Sequence, residues 1–220
     1  MRLLILPLFF LLAPSLMAQP MAADTVRPVS GSAEFDAART RLDQRGLRVL
    51  GAWGAANLLV SGIATGQTDG SAHYFHQMNV GWGAVNLALA AIGYQAARLA
   101  GRAPTATRSA VVKGQLRTEN LYLFNAGLDV AYLATGLYLL EKSRNPTASG
   151  PPERWRGYGQ SLLLRGGFLL LFDGVQYSAH HRHGARQLYP LLSCLRFGPG
   201  AVAVTIPLGG QRLFAGSIPE

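Results

Sequence analysis

Four apolar runs of about twenty residues, 47–65, 78–97, 119–140 and 157–179, alternate with segments rich in glycine, proline and charge. At 1.5 Å per residue, each is long enough to cross a bilayer core of roughly 30 Å as a helix. An amphipathic, Arg-rich helix over 37–48 leads into the first run. The pattern predicts an all-α fold: a four-helix, up-and-down transmembrane bundle. A further apolar run over 3–17 follows Met1-Arg2 and contains Pro7 and Pro14. It reads as a secretory signal peptide, 1–18, cleaved after Ala18. The remaining boundaries follow: a polar N-terminal segment and lead-in helix over 19–45, the four-span domain over 46–183, and a tail over 184–220. In that tail, 195–206 alternates around Gly198-Pro-Gly200 and predicts a short β-hairpin.

The polar positions inside the apolar runs carry the candidate chemistry. Asn57, Asn86, Asp129 and Arg165 each fall within about one helical turn of the middle of their run, one per helix. An ionised side chain at that depth costs roughly 2.5–3.5 kcal/mol on insertion scales, so these groups must face the bundle interior. The expected arrangement is a connected polar core with Arg165 bound to Asp129 and the Asn amides filling the remaining donors and acceptors. Asp173 and Gln176 lie further along the fourth helix and complete the set. Trp53-Gly-Ala-Ala-Asn-Leu58 recurs as Trp82-Gly-Ala-Val-Asn-Leu87, so helices one and two present one device twice. Glycines at these spacings let backbones approach, and the amides bond across them.

Charge and composition narrow the function classes. Charged residues are 14% of the 220, well below the roughly 25% of soluble domains. The net charge of +9 is spread over segments flanking apolar runs, as expected beside anionic lipid, and forms no stripe with aromatics that would fit nucleic acid. The lipid bilayer is therefore the expected partner. Cys194 is the only cysteine, which excludes an intrachain disulfide. His73 and His76 precede helix two, and His180, His181 and His183 follow helix four. An up-and-down topology separates the two groups, so no metal or cofactor is assigned, and the histidines are expected at the headgroups. No nucleophile elbow, zinc-protease motif or phosphate loop occurs, so no catalytic residue is assigned.

Orientation has two readings. The signal peptide places the mature N-terminus in the periplasm, with the spans in a bacterial inner membrane. The lead-in helix, the 98–118 loop and the tail nevertheless carry more Arg and Lys than loop 141–156, which favours the reverse.

Three stretches resemble a bacterial family of uncharacterised, signal-bearing, four-helix membrane proteins. They are Tyr74-Phe-His-Gln-Met-Asn-Val-Gly-Trp82 with Val85-Asn-Leu87, Leu123-Phe-Asn-Ala-Gly-Leu-Asp-Val-Ala-Tyr132, and Arg156-Gly-Tyr-Gly-Gln-Ser161 continuing to Gly166-Gly-Phe-Leu-Leu-Leu-Phe-Asp173. The resemblance spans about 45–185 and implies a membrane domain without carrying over any catalytic residue. Three functions fit these expectations: a structural or binding module with a buried polar core, a small transporter or proton- or ion-binding protein using Asp129 and Arg165, and an intramembrane enzyme acting on lipid or quinone.

Overall fold

The structure is a computed structural model. It describes residues 32–101, 108–145, 147, 149–189, 195–198 and 201–204. The signal peptide over 1–18, the polar segment to residue 31, the 102–107 connection and the chain after 204 lie outside the described residues.

Four helices dominate: α1 (Ser32–Thr65), α2 (Gly70–Ala100), α3 (Arg108–Arg144) and α4 (Pro152–Gln187). Beyond them β1 (Leu195–Gly198) pairs antiparallel with β2 (Ala201–Val204), Leu195 opposite Val204. All four helices outrun the apolar stretches that announce them. The lead-in helix and first span are one rod, and α3 starts within the expected 98–118 loop. That loop segment is helical because Val111, Gln115, Glu119 and Tyr122 recur on one face and are all buried. α4 likewise continues past its apolar stretch through the histidines to Gln187. Pro151 and Pro152 supply its start, where a missing N–H costs nothing, and Gly150 turns the chain into it at φ 94°.

α1 packs antiparallel on α2 and α3 on α4, while α4 also touches α2 and α1. Glycines set these crossings. Gly54 and Gly83, one from each copy of the repeat, face each other. A Cβ on Gly54 would lie 2.7 Å from the Leu87 nitrogen, and one on Gly83 would lie 2.9 Å from the Gly54 oxygen. Gly136 and Gly159 do the same for α3 and α4, at 2.9 and 2.8 Å from each other's oxygens. The sequence repeat is thus the two halves of one helix–helix contact.

The distribution of side chains is inverted relative to a water-soluble bundle. Asn79, Asn86, Gln115, Asp129, Ser161 and His180 are buried, whereas Leu59, Ile63, Ile92, Phe124, Leu171 and Val175 are exposed, Ile92 and Leu171 at 69%. The apolar cluster of buried residues is a small group at one end: Phe35, Val111 and Leu188, with Val112 and Tyr189 against it. Among the described residues, two helical stretches, Ala33–Thr65 and Ser109–Arg144, are long and apolar enough to cross a membrane.

Candidate functional site: the polar seam of the bundle

α4 carries a nearly continuous buried seam. Ser161, Arg165, Leu169, Asp173, Gln176 and His180 follow one another at three- and four-residue steps, all inside the bundle. From Ser161 to His180 the seam runs about 28 Å at helical rise. Only Leu169 in it is apolar.

At one end, Ser161 Oγ donates to Asn79 Oδ1 at 2.6 Å, and Tyr158 OH donates to Gln77 Oε1 at 3.1 Å. One turn further, Arg165 Nη2 donates to Asn86 Oδ1 at 3.1 Å. Its guanidinium lies 3.8 Å from the Trp82 ring centroid and 5.8 Å from that of Tyr132. Such stacking suits Arg in particular, because its charge is delocalised and weakly hydrated. The first repeat copy meets the same stretch of α4 differently: Trp53 stacks on Phe168 at 3.9 Å, with the planes 9° apart. Trp53 and Trp82 therefore clasp α4 from two sides at neighbouring positions.

Arg165 does not form the expected bond to Asp129; among the described residues no ion pair within 4 Å joins them. Asp129, 2% exposed, is instead electrostatically coupled to Asp173 of α4, itself 4% exposed. One Asp129 oxygen, Oδ2, and Arg165 Nε have no hydrogen-bond partner. Asn57 stays out of this group: its Nδ2 donates to the Trp53 carbonyl of its own helix at 2.8 Å. Gln176 is directed at α1, where its amide fills the space that a side chain on Gly46 would need. Of the six polar positions singled out from the sequence, Asn86 and Arg165 form one contact, and Asp129 and Asp173 are an electrostatically coupled pair. Asn57 and Gln176 serve other contacts.

A second polar cluster lies at the α4 C-terminal end. Glu119 accepts from Gln115 Nε2 at 2.7 Å, Tyr189 OH at 2.5 Å and His181 Nδ1 at 3.2 Å. Gln115 Nε2 also reaches the His180 carbonyl at 2.7 Å. His180, expected at the headgroups, is fully buried. Its ring stacks on Tyr122 at 5.5 Å, and Nε2 lies 3.2 Å from Asp43 Oδ1. That approach is too poorly aligned for a hydrogen bond, so both ring nitrogens lack one. The sequence signal that would have found this cluster is the i, i+4 pair Gln115/Glu119 on an extended α3, which the loop assignment hid. At the opposite end His73 Nδ1 donates to the Thr65 carbonyl at 2.9 Å, and His76 Nδ1 lies 3.2 Å from Ser61 Oγ. The two histidine groups thus sit at opposite ends. Among the described residues no three His, Cys, Asp or Glu side chains are arranged to hold a metal.

His183 closes the end. Its Nε2 donates to the Phe35 carbonyl at 3.1 Å, and its ring stacks on Phe35 at 4.1 Å. Burial, reinforced by the nearby His180, Arg39 and Arg41, pushes its pKa below the usual 6.5 despite the Phe35 carbonyl. The folded state resists a proton that the unfolded chain takes up near 6.5. His183 therefore supports the fold fully above about pH 6.5, and that support is lost as the pH falls towards its lowered value. Melting temperatures followed from about pH 8 to about pH 5 should fall more steeply for the wild type than for His183→Phe. Parallel curves would show that His183 plays no part.

The chain belongs to DUF6992, a family of unknown function. The family's sequence model covers residues 49–174, more than half of the chain. That stretch includes both repeat copies, Asp129, Arg165 and Asp173, and stops short of Gln176 and His180. Comparison with curated proteins and with solved structures returned no match.

Proposed function

We propose that this protein is a multi-pass integral membrane protein, a structural or binding module whose four helices cross the bacterial inner membrane behind a secretory signal. The observation that carries this reading is the inverted side-chain distribution. Burying Asn86, Asp129, Arg165 and Asp173 while exposing Leu59, Ile92, Phe124 and Leu171 is costly in water and natural in lipid. The seam's length of about 28 Å also matches a hydrocarbon core of roughly 30 Å. In such a bundle apolar side chains cannot drive helix association, since lipid tails are equally apolar. Close glycine contacts and interhelical hydrogen bonds take that role. α4 is the most polar helix because it is the one wrapped by the other three.

Spin labels at positions 59, 92 and 171 of the purified, lipid-reconstituted chain test the reading. Collision with oxygen and protection from a water-soluble nickel complex are expected at all three. Nickel accessibility, or release of the native protein from membranes by alkaline carbonate, would refute it.

A second reading, a small transporter or a proton- or ion-binding protein, is favoured by the burial of both Asp129 and Asp173. Helix packing alone does not require two carboxyl groups in the interior.

A further inference from the structure

We propose that the outer face of α4 binds one anionic phospholipid, an acyl chain lying along the groove from Gly167 to Ser178 and the phosphate held at Arg182 and Arg186. The proposal rests on the membrane reading above and deepens it.

The first argument is shape. The groove has a volume of about 690 Å³, and α4 itself lines it, from Gly167 through Leu171, Gly174 and Val175 to Ser178 and Arg182. Glycine weakens a helix relative to alanine. Elsewhere on α4 that weakness has a packing reason: a Cβ on Gly157, Gly159 or Gly166 would press on the backbone of a neighbouring helix. A Cβ on Gly167 or Gly174 would meet nothing within 4 Å among the described residues. Ser178 Oγ donates to the Gly174 carbonyl of its own helix at 2.8 Å, so its donor is already used within the groove. The wall is therefore apolar until Arg182, and an occupant must be apolar over the same length.

That length is one leaflet. Gly167 lies near the middle of the apolar run 157–179, and Ser178 lies near its end. The distance between them along the helix is about 16 Å. Half of a hydrocarbon core of roughly 30 Å is about 15 Å. A transmembrane helix from a partner would need a face along the whole span, whereas an acyl chain needs only this half.

The third argument is charge. Arg182 stands exposed at the mouth of the groove, with Arg186 exposed one turn further. Among the described residues neither has a carboxylate within 4 Å. The contacts of His180 with Asp43 and Gln115, and of Gly101 with Thr40, bring this end of α4 level with the start of α1, the end of α2 and the start of α3. Arg45, Arg98 and Arg117 are exposed at that level. Three acids there are already engaged: Asp36 by Arg39, Asp43 beside His180, and Glu119 by His181 and Tyr189. The opposite end mixes signs, with Asp69, Glu141 and Glu153 exposed beside Arg144 and Arg156. An anionic headgroup is thus drawn to the end where the groove opens. A guanidinium fork matches phosphate oxygens, and its apolar stem can follow the acyl chain while the charge reaches the headgroup. A second copy of the chain fits less well. Two copies in one membrane share an orientation, so a two-fold contact through this face would set Arg182 and Arg186 against their own counterparts.

Native mass spectrometry of the full chain, equilibrated with equal amounts of dioleoyl phosphatidylglycerol and dioleoyl phosphatidylcholine, tests the site. The acyl chains are identical, so preference reports the headgroup. The wild type is expected to retain one phosphatidylglycerol at least about tenfold over phosphatidylcholine. Arg182→Gln should lower that preference about fivefold, the factor for one cation near an anionic surface. Gly174→Leu should displace the lipid by filling the groove, and Arg156→Gln at the opposite end should leave it bound. Equal retention of the two lipids by the wild type overturns the proposal, and this result stands even if a variant fails to fold. So does unchanged preference in Arg182→Gln, retention in Gly174→Leu, or an equal loss in Arg156→Gln. A lipid-free dimer would assign the groove to a second copy and also overturn it. Labels at 59, 92 and 171 that are protected from nickel, together with no lipid preference, would sink this site and leave the membrane reading intact.

Discussion

Gly157→Val is expected to destabilise the bundle by about 3 kcal/mol, the upper part of the range for forcing extra methyl groups into close packing. A Cβ at 157 would press on the Ser71 carbonyl and lie 2.7 Å from the Phe75 nitrogen, both backbone atoms of α2. Backbone cannot rotate out of the way as a side chain can, so the two helices must separate. The separation would be felt a turn later at Ser161–Asn79 and again at Arg165–Asn86, whose 2.6 and 3.1 Å bonds need the close approach. Gly167 is the matched control: it lies on the same helix, with nothing within 4 Å of a new Cβ. Gly167→Val should change stability by no more than about 0.5 kcal/mol, as exposed substitutions do. Reversible unfolding in mixed micelles, followed by circular dichroism, measures both. Equal effects would mean that the α2–α4 approach does not limit stability.

Arg165→Ala is expected to cost more, about 4 kcal/mol. The substitution empties a site that is 5% exposed, removes the donor to Asn86 and uncovers the Trp82 face. It also removes the one Arg or Lys side chain that is buried among the described residues and could offset Asp129 and Asp173. Arg165→Lys separates these contributions. Lysine keeps the charge but cannot stack a planar fork on Trp82 while reaching Asn86, so it should recover about half of the loss. The same unfolding assay reads both. Full recovery by lysine would assign the whole effect to charge, and a loss below about 1 kcal/mol for alanine would remove Arg165 from the elements that hold the helices.

Much of the fold is legible in the sequence. The four apolar stretches locate the four helices, and the three- and four-residue spacing of polar positions identifies the buried faces, because helical period fixes which side chains share a face. The helix ends are less legible: α3 and α4 extend through charged segments. Those segments helix because the buried seam continues into them through Gln115 and His180, residues that look like loop composition when read singly.

The sequence by itself determined that each helix bears polar groups near its centre, since residue number and helical rise set their height. Only the tertiary structure decided who meets whom. Height says nothing about how far each helix is rotated about its axis, and that rotation is set by the facing glycines Gly54 with Gly83 and Gly136 with Gly159. With those contacts in place, Arg165 faces Asn86 and Trp82 rather than Asp129. Asn57 turns back to its own backbone, Asp129 is left to Asp173, and His180 is buried beside Asp43.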